Sequence, residues 1–494
     1  MRYILAIDQG TSSSRCIVYD QTATPVAMAQ QAFTQYFPYP GWVEHDAEEI
    51  WDSQSAVVRQ AMRQAQLQPA DIAGIGITNQ RETTVIWERS TGKPIYNAIV
   101  CQDRRTADDC IRLKQAGYEA MVKAKTGLLL DAYFSATKIS WLLNHVEGAR
   151  EKAKRGELAF GTIDSWLAWK LTDGELHITD VSNAARTLLF NIDTMQWDNE
   201  LLALFDIPAS LLPVVKSSSE IYGQTRNQEI GAGMPIAAIA GDQQAGLFGQ
   251  LCINAGMAKC TYGTGSFLMM NTGSQRIVSN HGLLTTIAWQ IGDQIHYALE
   301  GGVFVGGAAI QWLRDGLGLF EQTSDSEQLA RSVADNGGVY FVPALTGLGA
   351  PHWDPHARGA IFGITRGTTS AHLTRAALES ICFQVDDVLQ MFSSESGTPI
   401  AQLRIDGGAA VNNMLAQFQA DISAVEVVRP TNLETTALGA AYLAGIAIGL
   451  WSIDELNHKW RIDRSFHETM PQLEVESLKR YWLKAVERAK NWAE

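Results

Sequence analysis

Residues 3–15 read YILAIDQGTSSSR. Residues 3–7 are bulky and apolar, as a buried strand requires. They end in Asp8, a glycine at Gly10, four consecutive hydroxyl residues (Thr11, Ser12, Ser13, Ser14) and a cation, Arg15. The same succession recurs at 72–78 into NQRET, at 236–240 into GDQQ and at 403–405 into DGGAAVNN. Short strands that end in Asp, Gly, Thr or Ser and lead into helices define an α/β fold with its chemistry at the strand ends. The spacing of Ala47, Trp51, Val58, Met62 and Ala65 predicts a helix over 47–65 with one buried face, and Asp46 with Glu49 predicts a capping box at its start. Glycine- and hydroxyl-rich turns at 10–14 and 263–266 point to two related halves, divided near 246–256 into domains 1–248 and 249–494.

Composition bounds the function. The chain has 494 residues, 39 Lys+Arg against 53 Asp+Glu, and a formal net charge of −14. An acidic chain without a basic block offers no surface for nucleic acid. The longest near-apolar run, 438–451, contains three glycines and falls short of the ~20 residues that span a bilayer, so it predicts a buried helix and no membrane span. The N-terminal residues lack a signal-peptide pattern, and the six cysteines are scattered without a C-x-x-C pair; a cytoplasmic protein with reduced thiols and no zinc site is expected.

Three constellations could carry chemistry, each with two readings. The turn after Asp8 is either a polar hairpin or a phosphate loop whose N–H and hydroxyl donors meet phosphate oxygens while Asp8 holds hydrated Mg²⁺. Arg81 and Glu82, between strand-like 72–78 and 84–87, are either a solvated ion pair or a clamp in which Arg donates to, and Glu accepts from, the hydroxyls of a polyol. Asp242, at the end of 236–240, is either a helix N-cap or a general base for a hydroxyl attacking a γ-phosphate. With glycine turns also at 263–265 and 407–408, the pattern points to a nucleotide cleft between the halves. There is no G-x-x-x-x-G-K-[ST], G-x-G-x-x-G, H-E-x-x-H or G-x-S-x-G motif, and Pro351 and Pro355 remove the helix that would pair His352 with His356 as metal ligands.

AIDQGTSSSR (6–15), GITNQRETTVIWERSTGKPIYNAIV (76–100), QDRRT (102–106), TGLLLDAYFSATKI (126–139), GTIDSWLAWKLT (161–172), GDQQAGLFGQ (241–250), KCTYGTGSF (259–267), DGGAAVNN (406–413) and TALGAAYLAG (436–445) together resemble the FGGY carbohydrate kinases of the actin/Hsp70-like ATPase superfamily, in particular their glycerol-phosphorylating branch. The resemblance implies two ribonuclease-H-like domains with ATP between them, Mg²⁺ as cofactor and a homodimer or homotetramer. It implies Asp242 as general base and metal contact alongside Asp8; Arg81, Glu82, Tyr133, Asp242, Gln243 and Phe267 around glycerol; Thr11, Ser12, Ser13 and Arg15 as the first phosphate loop; and Thr264, Gly307, Gln311, Gly408 and Asn412 as the second phosphate loop and adenosine site.

One position departs from the family pattern. Cys101 stands before QDRRT where the family usually has Trp, which implies a roomier pocket, weaker glycerol binding or a longer polyol. The segment GAGMP (231–235) lacks the Arg through which some relatives are inhibited by sugar phosphates. Two alternatives to glycerol phosphorylation follow: a kinase for another polyol or ketose, and an actin/Hsp70-type nucleotide switch, against which the Arg81–Glu82 pair argues.

Overall fold

In the computed structural model, which describes residues 2–493, Tyr3–Gln9 pairs antiparallel with Ser13–Tyr19. The turn between them is closed by the Gly10 N–H donating to the Ser13 carbonyl at 3.0 Å. Both strands are buried along most of their length, which accounts for the apolar runs Ile4–Ile7 and Cys16–Tyr19. Pro25–Ala32 completes a meander on one side, and Ile72–Asn79 and then Pro235–Gly241 add in parallel on the other.

The second half repeats this order. Met257–Tyr262, Ser266–Gly273 and Gln294–Val303 form the meander, and Gln402–Asp406 and then Val427–Pro430 add in parallel beside its first strand. The two sets join into one 13-stranded sheet, in which Ser219–Gln224 meets Leu284–Ile291 through a single register pair, Ser219 with Ile291. Each half therefore has its own set of parallel strand ends, and loops that follow those ends build the site.

Two helices bridge the halves. Asp242–Gly249 crosses Thr435–Ala447 with glycine at the contact: a Cβ on Gly439 would overlap the Ala245 carbonyl, and one on Gly249 the Thr435 carbonyl. Residues of both helices share one core with Ile4 and Ala6 of the first strand, including Phe248, Ala437 and Ala441. Gly439→Ala is expected to destabilise the fold by about 1–3 kcal/mol through overpacking, read as a lower thermal midpoint; an unchanged midpoint would mean that the crossing yields without cost.

The helix near the N-terminus runs over Ala47–Gln64, with Trp51, Val58 and Met62 buried. Only half of its expected capping box forms. Asp46 accepts from the N–H groups of Glu48 and Glu49, but the Glu49 carboxylate turns to the backbone and hydroxyl of Thr34, at 2.9 and 2.8 Å, because that residue offers two donors at once. Residues 438–451 carry the C-terminal part of the buried helix Thr435–Ala447, as their composition predicts. Among the described residues no helix is long and apolar enough to cross a membrane, and all six cysteines are free and buried.

Candidate active site

Three adjacent parallel strands bring Asp8, the Gln80–Glu82 turn and Asp242 to one end of the sheet, because Thr78 lies opposite both Asp8 and Ala240 in register. Asp242 is the first residue of its helix, and Gly241 occupies the N-cap position, so the capping role open to Asp242 from sequence is not the one it takes. Its Oδ1 accepts from the Gln243 N–H at 2.7 Å and lies 3.1 Å from Arg81 Nε. Its Oδ2 makes no hydrogen bond among the described residues. Burial raises the Asp242 carboxyl above its usual range against the opposing pull of Arg81 and Lys259.

Arg81 and Glu82 are buried, not solvated. Arg81 grips Glu300 with two parallel hydrogen bonds at 2.8 and 2.7 Å and reaches Gln244 Oε1 at 3.3 Å. Glu82 accepts from Arg186 Nε at 2.7 Å, and Arg186 also pairs with Glu300 at 2.9 Å. The result is a closed ring of two arginines and two glutamates, almost fully shielded from water. Burial alone would raise the Glu300 carboxyl, but Arg186 and then Arg81 outweigh it and bring it down to about 2. Glu82, hydrogen-bonded by one arginine only, stays raised by burial. Glu82 also holds a left-handed backbone, φ 59°, a conformation rare outside glycine and costly enough to need the surrounding ring to hold it.

The remaining residues expected at the polyol site are held as follows. Gln243 Oε1 accepts from Lys259 Nζ at 2.5 Å, which assigns the amide and leaves its N–H₂ group as the outward donor. The Tyr133 backbone is fixed by Asp131, which accepts its N–H at 2.8 Å, and by buried Lys138, whose Nζ donates to the Tyr133 carbonyl at 2.6 Å. Phe267 lies alongside Gly302 of the neighbouring strand. Cys101 packs in a small apolar cluster with Val43 and Val100 against Tyr133, and burial pushes its thiol up to about 12, so it is a neutral, compact wall.

The first loop presents Thr11, Ser12 and Ser13 at least partly to solvent, with Ser13 Oγ accepting from Gln30. Arg15 is paired across the halves with Glu434. In the second loop, exposed Thr264 sits on the start of helix Gly307–Asp315: its carbonyl accepts from Gly306 and Ala308 at 2.8 and 3.0 Å, and Gly307 donates to Gly263 at 2.9 Å. Gln311 is exposed on that helix. Gly407, at φ +87°, turns the chain where a side chain would strike the Tyr262 backbone, and Gly408 faces open space. Asn412 caps helix Asn413–Ser423 by accepting from Leu415 at 3.0 Å. No hydrogen bond links Gln311 with Gly408 or Asn412 among the described residues.

The Asp8 carboxylate makes no hydrogen bond or ion pair among the described residues. Burial, with a further contribution from Asp242, raises its carboxyl to about 6 despite Arg15. Two carboxylates that repel one another at a strand end fit a cation. Among the described residues no group of three His, Cys, Asp or Glu side chains converges on a metal position.

Two family models match most of this architecture: the N-terminal domain of the FGGY family of carbohydrate kinases over residues 3–249 and its C-terminal domain over 258–448. The chain belongs to the FGGY family of carbohydrate kinases. Within that family, it is 60% identical over its whole length to glycerol kinase of Parabacteroides distasonis and 58% identical to that of Paraburkholderia phytofirmans, covering 99% of each. Among solved structures, glycerol kinase of Plasmodium falciparum with ADP superposes with a TM-score of 0.94 at 37% identity, covering 99% of this chain and 98% of that one. Xylulose kinase from Lactobacillus acidophilus shares the fold, with a TM-score of 0.88 at 22% identity and coverage of 99% and 98%.

Residues that the sequence reading passed over do much of the positioning. Glu300, Arg186 and Lys259 stand as single charges within YALEGGVF (297–304), NAARTLLF (183–190) and GMAKCTYG (256–263). A lone charge in an apolar segment must be paired once buried, and that was the available signal.

Proposed function

We propose that this chain transfers the terminal phosphoryl group of ATP to glycerol, giving sn-glycerol 3-phosphate. The observation that carries the reading is Asp242, whose Oδ1 is held by Arg81 and its own helix while Oδ2 stays open beside the Arg81–Glu82 ring. In this reading a terminal hydroxyl of the polyol donates to Oδ2, and Asp242 takes its proton as the oxygen attacks the γ-phosphorus. The Gln243 N–H₂ and the Tyr133 and Glu82 side chains orient the other hydroxyls, while Phe267 and Cys101 wall the carbon side. Thr11, Ser12, Ser13, Arg15 and Thr264 meet the phosphates, and Gly307, Gln311, Gly408 and Asn412 flank the adenosine. Asp8 and Asp242 would hold Mg²⁺, which supplies charge neutralisation at the phosphates. Arg15 leaves Glu434 to reach a phosphate, and domains 1–248 and 249–494 close over both substrates to exclude water. Full-length identity to glycerol kinases supports the choice of polyol.

Purified protein with Mg-ATP is tested against no acceptor, glycerol, erythritol, xylitol, D-xylulose and gluconate, following ADP release and identifying the product. Saturable release with glycerol, yielding glycerol 3-phosphate, is expected. Turnover confined to a longer acceptor would move the substrate, the reading that compact Cys101 beside Tyr133 favours. Hydrolysis indifferent to every acceptor would replace the kinase with a nucleotide switch.

A further inference from the structure

The ring beside Asp242 is balanced in itself. Arg81 and Arg186 supply two cations, and Glu82 and Glu300 supply two carboxylates, while Lys259 donates to the neutral Gln243 amide and makes no ion pair among the described residues. Glu300 is decisive in that balance. It lies on Gln294–Val303, in the half of the chain opposite to Arg81 and Glu82, and among the described residues it alone of the carboxylates pairs closely with both arginines. Its two-point grip on Arg81 fixes the rotation of the guanidinium, and thereby the edge, Nε, that faces Asp242.

We propose that Glu300 is a positioning and specificity-determining residue: it sets Arg81 against Asp242 and cancels the arginine charge, so that the pocket accepts an uncharged polyol and turns away the corresponding acid. This rests on the glycerol reading above and extends it to substrate class. An arginine beside a sugar-kinase pocket would by itself attract a carboxylate. Here its NH1 and NH2 groups are already occupied by an internal carboxylate in the geometry that a substrate acid would use. A three-carbon acid entering the site would find no free guanidinium, and would meet Asp242 and Asp8 as like charges.

The test compares wild type, Glu300→Gln and Glu300→Asp in steady-state assays with Mg-ATP and glycerol, adding D- and L-glycerate as acid counterparts of the polyol. Glu300→Gln leaves one net cation in the pocket and loosens Arg81. The KM for glycerol is expected to rise about 10- to 100-fold, the scale of a small misplacement of a positioning group, with the KM for ATP unchanged. Glycerate should become a competitive inhibitor against glycerol with an inhibition constant at least about tenfold below that of wild type, since relief of charge mismatch favours the acid. Glu300→Asp keeps the charge but is one methylene too short for the two-point grip; it should raise the glycerol KM by roughly tenfold and still exclude glycerate. A general structural role would instead move both KM values together and would not create acid binding. Unchanged glycerol KM in the folded variants, or glycerate that competes no better in Glu300→Gln, overturns the proposal. If Glu300→Gln does not fold, the ratio of the two KM values in Glu300→Asp decides alone. Wild type that fails to phosphorylate glycerol would sink the underlying reading, whereas an active wild type with indifferent variants sinks only the role of Glu300.

Discussion

Asp242→Asn is expected to lower the turnover number by about 10²- to 10⁴-fold, the usual worth of a positioned general base, with the KM for ATP changed little. Asparagine has the same shape and can still accept from the Gln243 N–H through its oxygen, so the helix start and the Arg81 side chain keep their places. What disappears is the ability of Oδ2 to accept a proton at the moment the hydroxyl attacks. Burial already raises the Asp242 carboxyl, which brings its basicity nearer to that of a useful proton acceptor, while Arg81 and Lys259 keep that rise in check. Steady-state kinetics on folded variant, with nucleotide binding measured separately by calorimetry, distinguishes the roles: lost turnover with retained ADP binding supports the base, and turnover within about tenfold of wild type removes Asp242 from it.

The strand ends were legible because each one changes composition sharply. Residues 3–7, 72–78, 236–240 and 403–405 all fall inside observed parallel strands, and Asp8, Asp242 and the glycine turns sit at their ends. Local chemistry sufficed there, since a buried parallel strand must be apolar on both faces and its loop must be polar. Pairing between distant segments was not legible. Nothing in the neighbourhood of Arg81 specifies Glu300, 219 residues away, as its partner. The Arg81–Glu82 dipeptide suggests a mutual ion pair, but their closest charged atoms are 3.9 Å apart, and each side chain turns to a residue from elsewhere. The Asp46–Glu49 signal failed for the same reason: the sequence identifies a donor and an acceptor three residues apart, and tertiary packing supplied Thr34 as a better match. Asn412 has a plain local role as a helix cap, which its position before an apolar helix also predicts.

Arg186→Met should destabilise the protein by about 3–5 kcal/mol, the cost of leaving buried charges without their partner. Methionine fills much of the volume and keeps contact with the Phe134 ring, over which the guanidinium now lies at 5.3 Å. Packing is therefore a minor part of the loss. Glu82 is left with Arg81 at 3.9 Å as its nearest cation, and Glu300 keeps one arginine of two. The effect should depend on pH in a set direction. Burial holds the Glu82 carboxyl above its ordinary range even with Arg186 present, and removal of that cation raises it further. The folded variant then binds a proton that the unfolded chain has released, so its stability falls as pH rises above the unfolded glutamate pKa of about 4.3, until the folded value is passed. Thermal midpoints of wild type and variant compared at pH 5.5 and pH 8 should show the larger deficit at pH 8. Adding Glu82→Gln, which removes the stranded charge, should recover part of the loss and flatten the dependence, as expected for two members of one network. A deficit equal at both pH values, or a double variant no more stable than Arg186→Met alone, would mean that Arg186 acts through packing and not through the charge of Glu82.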